Sequence, residues 1–97
     1  MSDNEDAFFD RADAYVQLAN VQLDTAGADE VQAAFLFALT RYTVWTAAQG
    51  FDSVDALRAK RGELLALYTA QFQNALKDSL ADYIDNFDEY REDADQA

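Results

Sequence analysis

The chain has 97 residues with no cysteine, histidine or proline, and seven basic residues face nineteen acidic ones for a formal charge of −12. That charge repels nucleic-acid phosphates and anionic membranes, so neither nucleic acid nor membrane is expected as a partner. Disulfides and thiolate chemistry are excluded outright, and without histidine any acid–base work would fall to Asp, Glu, Tyr, Lys or Ser, so no enzyme is expected.

Asp3 or Asn4 is placed to cap a first helix of about 4–26. Phe8 or Phe9, Ala12, Tyr15 or Val16, Ala19 and Leu23 recur every three to four residues as far as Gly27. Glu5, Asp6 and Asp10 lie in its first turns, where the helix dipole favours negative charge. Gly27 suits the left-handed conformation just past a helix end. Asp29 and Gln32 then form a capping-box pattern for a second helix, 29–49, which ends at Gly50. With so short a linker the two helices are expected to form an antiparallel hairpin.

The second helix contains the stretch around which the rest must be organised, VQAAFLFALTRYTVWTAA, residues 31–48. Val31, Ala34, Phe35, Ala38, Tyr42 and Trp45 fall on one face, and Phe37, Val44 and Ala48 on the opposite one. A helix that is apolar all round must be covered on several sides. It is not a membrane span, because Arg41 interrupts it and the uncharged run before that is too short.

A third helix of about 53–91 starts at Asp52 or Ser53 and carries a long apolar stripe from Leu57 to Tyr90. As one rod it would extend roughly 58 Å at ~1.5 Å per residue, beyond the reach of the first two helices. Ser79 and Asp82 offer a second capping box where it would break and fold back as a fourth. The expected fold is therefore all-α: an antiparallel three-helix bundle with a long third helix, possible break near Ser79 included, forming one domain over 1–91 with 92–97 a disordered acidic tail.

Four groups of residues invite a functional reading. Arg41 must find acceptors or reach water along its stem, either as a buried ion pair with an aspartate such as Asp10 or Asp13, or as an anion site. Thr40, Thr43 and Thr46 are expected to bond the preceding turn of their own helix rather than to line a pocket. Arg58, Lys60 and Arg61 are expected to balance Asp52, Asp55 and Glu63 at short range. The acidic run from Asp78 to Asp95 has helical spacing and no glycine for a calcium loop, so no metal or other cofactor is expected. Twelve of the thirteen aromatic residues, all but Phe51, read as core and interface.

The opening FFDRADAYVQLAN, the middle AAFLFALTRYTVWTAA and the ending FQNALKDSLADYIDNFDEY together resemble a family of short, acidic, bacterial proteins classed as a domain of unknown function. Phe9, Asp10, Arg11, Ala12 and Asp13 carry the opening motif, and Asn86, Phe87, Asp88 and Tyr90 the ending one. The resemblance implies a single helical domain with no assigned activity, and it brings no catalytic residues.

The acidic amino terminus, where a signal peptide would be basic, points to a cytoplasmic chain. Its expected role is that of a small interaction or structural module acting as a homodimer, with Phe37, Val44, Ala48, Leu80, Tyr83, Ile84, Phe87 and Tyr90 at the interface. Two alternatives are an acidic decoy for a basic, nucleic-acid-binding protein and a small-ligand sensor with its pocket around Arg41.

Overall fold

The computed structural model describes residues 3–96, all of its regular structure being helical: α1 Asp3–Gln22, α2 Ala28–Ala48, α3 Val54–Ala59, α4 Arg61–Asp85 and α5 Phe87–Gln96. The chain divides into two compact units, Met1–Gly50 and Phe51–Ala97.

In the first unit, α1 ends earlier than its periodicity suggests. The amides of Leu23, Asp24 and Thr25 bond carbonyls three residues back at 3.1, 3.2 and 3.1 Å, which tightens the helix into successive turns. These turns deliver the chain to Gly27 in an extended conformation, φ −74° and ψ 159°, and no glycine has a positive φ. The expected left-handed stop at Gly27 is thus replaced by an extended residue at the cap position of α2. Asp29, expected as that cap, lies with Glu30 inside the first turn, where it meets the positive end of the helix dipole. α1 and α2 touch sparsely: Ala19, Ala26 and Val31, close to the connection, are half-buried, while Phe9, Val16, Phe37 and Trp45 are exposed.

In the second unit, the expected third helix is three helices. Ser53 caps α3 by accepting a hydrogen bond from the Ala56 amide at 3.1 Å. α3 closes after six residues at Lys60, which has φ −99° and ψ 3° and also stands at the start of α4. The chain then runs unbroken through Ser79. A serine inside a continuous helix has no free amide to cap, so the break falls instead at Asn86, with φ −122° and ψ 32°. Its side-chain amide donates to the Asp82 carbonyl at 3.0 Å and to Asp82 Oδ1 at 2.9 Å, taking up acceptors at the end of α4. α5 continues to Gln96 over residues expected to be an unstructured tail; Asp88 and Glu89 in its first turn favour the helix, and Ala97 lies outside the described residues.

Candidate interaction surface

No described residue is buried, and the apolar side chains left uncovered include most of α2. Phe37 is 64% exposed, Tyr42 64% and Trp45 57%, on different sides of the same helix. The polar groups that interrupt α2 are mostly satisfied by the helix itself. Thr40 Oγ1 donates to the Phe37 carbonyl at 2.8 Å, Thr46 Oγ1 to that of Tyr42 at 2.9 Å, and Gln49 Nε2 to that of Trp45 at 3.2 Å. With their hydroxyl protons turned into the helix, Thr40 and Thr46 add little polarity to its surface.

Thr43, expected to do the same, makes no such bond among the described residues, and neither does Arg41. Arg41 is exposed, its guanidinium lies 5.9 Å from the centre of the Phe37 ring, and it has no ion pair among the described residues. The bridge expected to Asp10 or Asp13 is not made within the chain, because α1 does not lie along α2 at that level. Beside Arg41 is an open hollow of about 390 Å³ lined by Thr40, Arg41, Val44 and Trp45. All four side chains come from one flank of one helix, so the hollow is a shallow seat rather than an enclosed ligand cavity. Trp45 packs on Tyr42 with ring centres 5.6 Å apart.

Phe37 and Val44 are both exposed on the flank beside the main stripe rather than opposite it, and Ala48, seated near the end of α2, is half-covered. In the second unit the candidate interface residues Tyr83, Phe87 and Tyr90 gather across the α4–α5 junction. Tyr83 and Tyr90 stack with ring centres 4.6 Å apart and planes 5° from parallel, and Phe87 meets Tyr83 edge-on at 6.0 Å. Leu80 and Ile84 stand outside this cluster and are exposed.

Asp82 and Asn86, read from the sequence as part of a capping box at Ser79 and of the ending motif, take a different role at this junction. Asp82 accepts hydrogen bonds from both Asn86 and the Tyr90 hydroxyl, and Asn86 joins the helices. The spacing of four between Asp82 and Asn86, followed by four more to Tyr90, is the available signal, since it places all three on one helical face. The hydrogen bond to Asp82, together with partial desolvation and the negative charge of Asp82, raises the Tyr90 phenol above its ordinary range. Arg91 lies 5.5 Å from the centre of the Phe87 ring on the same helix.

Two of the basic cluster's expected short-range pairs form, Arg58 to Asp55 at 2.7 Å and Lys60 to Glu63 at 3.3 Å, all well exposed, while Arg61 and Asp52 have no ion pair among the described residues. Such pairs contribute a few tenths of a kcal/mol each. Among the described residues no group of acids is arranged to hold a metal ion, and no helix is long and apolar enough to cross a membrane.

An all-helical chain, acidic and with an uncovered apolar helix, is the class that these features define, and comparison places it in a family. Residues 8–84 match the family described as "Protein of unknown function (DUF3144)", and the chain belongs to it. Its fold is similar to that of the protein NB7890A from Shewanella sp., solved by NMR, at 37% sequence identity and a TM-score of 0.74, over 93% of this chain and 96% of that one. No curated protein matches.

Proposed function

We propose that this protein is a protein–protein interaction module that acts as a homodimer, its antiparallel helical bundle being completed between two copies. The observation that carries this reading is the uncovered state of α2. Phe35, Leu36, Phe37, Leu39, Tyr42, Val44 and Trp45 are each at least 40% exposed. At ordinary side-chain areas these seven present roughly 700 Å² of largely apolar surface spread around the helix, so that covering it takes neighbours on more than one side, as expected of a helix apolar all round. A twofold pairing closes such a surface with one self-complementary patch. In the second unit, Leu80 and Ile84 are exposed as well.

The charge of −12 per chain opposes the pairing of two copies, so screening strengthens it. Sedimentation equilibrium from low to high salt tests the proposal, with a dimer that tightens as salt rises as the expected result. A chain that stays monomeric at every concentration and ionic strength overturns it. An acidic decoy held on a basic partner by charge alone would have the opposite salt dependence, losing its partner as salt rises.

A further inference from the structure

Resting on the homodimer reading, we infer that Arg41 of each copy is paired in trans with Asp10 and Asp13 on α1 of the other, and that this pair sets the register in which the copies dock. Arg41 is the only charged residue of α2 beyond its first turn. Among the described residues it has a ring beside it but no carboxylate, while Asp10 and Asp13 are exposed on α1 and also have no ion pair among them. When a second copy covers the flank of α2, the water around this guanidinium is displaced. An arginine left there without acceptors is strongly unfavourable, so the covering surface must supply a carboxylate.

α1 of the second copy is the element that can do so. Exchange of a helix between copies reuses the packing that the hairpin itself would have, which is an inexpensive route to a dimer. In that antiparallel register Gln22 lies opposite Ala28, and Phe9 lies level with Arg41, each thirteen residues further along its helix (22 − 9 and 41 − 28). Asp10 and Asp13 share one face of α1 and are within about one turn of that level. The hollow lined by Thr40, Arg41, Val44 and Trp45 is then a seat for an apolar side chain of the same turn, such as Phe9. Within one chain this packing is absent, because α1 and α2 approach near their connection while Phe9, Asp10, Asp13 and Arg41 all stay exposed. Twofold symmetry gives two such pairs per dimer, and they offset part of the like-charge repulsion at the places where the apolar surfaces meet.

Charge-reversal complementation tests the pairing. One chain carries Arg41→Glu and the other Asp10→Arg with Asp13→Arg; native mass spectrometry and sedimentation read the dimers formed by each alone and by the mixture. Each variant alone is expected to dimerise at least about tenfold more weakly than wild type, and the mixture to recover most of that loss as heterodimer. A control chain with Asp78→Arg and Asp85→Arg has the same net charge as the aspartate variant and should not rescue Arg41→Glu. Rescue by the control, or no rescue in the mixture, overturns the pairing while wild-type dimers leave the homodimer reading standing; recovery only when all changes are on one chain places the pair within a chain and also overturns it. A wild type that is monomeric throughout overturns both. Should the reversed chains lose helix content by circular dichroism, the neutral series Arg41→Gln, Asp10→Asn with Asp13→Asn, and all three together decides instead: effects on dimer affinity that fail to add support the pairing, and additive ones overturn it.

Discussion

Tyr90 donates its phenolic hydrogen to Oδ2 of Asp82, eight residues earlier, and so ties α5 back onto the end of α4. The same tyrosine stacks on Tyr83. Because the hydrogen bond to Asp82 raises the phenol above its ordinary pKa in the folded chain, the native state holds this proton more tightly than the unfolded state. Its stabilising effect is complete below the ordinary tyrosine pKa and is lost as pH rises through the raised value. Ultraviolet titration of tyrosinate should show a component above the ordinary range that disappears in Tyr90→Phe. Amide exchange in α5 should accelerate in the same variant, and exchange in α2 should not.

Trp45 is expected from the sequence to lie in the core, yet it is 57% exposed in the single chain. In a dimer that covers α2 its indole loses water. Its emission should therefore shift to shorter wavelength as protein concentration rises through the association range, and return on dilution. A maximum typical of hydrated indole at every concentration would remove α2 from the interface.

Phe37 offers the most direct loss of apolar area on the flank away from the main stripe. Phe37→Ala should weaken the dimer by at least about tenfold per ring, hence about a hundredfold for two symmetric copies. Sedimentation equilibrium measures this, with circular dichroism at saturating concentration checking that helix content is retained.

Ser53→Ala removes the one side-chain acceptor at the start of α3. A helix of only six residues depends on its cap, and the loss should be about 1 kcal/mol. Faster exchange of the Ala56 amide, which Ser53 accepts in the folded chain, is the local readout.

Residues that speak through local chemistry made much of the helical layout legible. Ser53 starts a helix because its hydroxyl satisfies an amide three residues on, and Gly27 and Gly50 flank α2 because the chain turns there. The break at Lys60 has no such signature: neither proline nor a capping side chain marks it, and Gly62 two residues later is the nearest hint. Asn86 was readable in principle, since an asparagine that bonds back to the previous turn competes with helix continuation, whereas the Ser79 and Asp82 pattern suggested a cap where the helix simply runs on. For the candidate site, the all-round apolarity of α2 was plain in the spacing of its residues. The partner of Arg41 was not, because a sequence gives which acids exist but not which of them another helix, or another copy, brings within reach.

The side-chain hydrogen bonds of the described residues span three to eight positions along the chain, and the main helix contacts join neighbours in sequence, α1 to α2, α3 to α4 and α4 to α5. Chains rich in local contacts fold within microseconds to milliseconds, since little loop entropy must be lost before a contact forms. The helices should thus appear in a first-order phase independent of dilution. Docking of a second copy would follow as a separate second-order phase whose rate is proportional to concentration, and a stopped-flow experiment that follows ellipticity and indole emission together would see the two come apart in time.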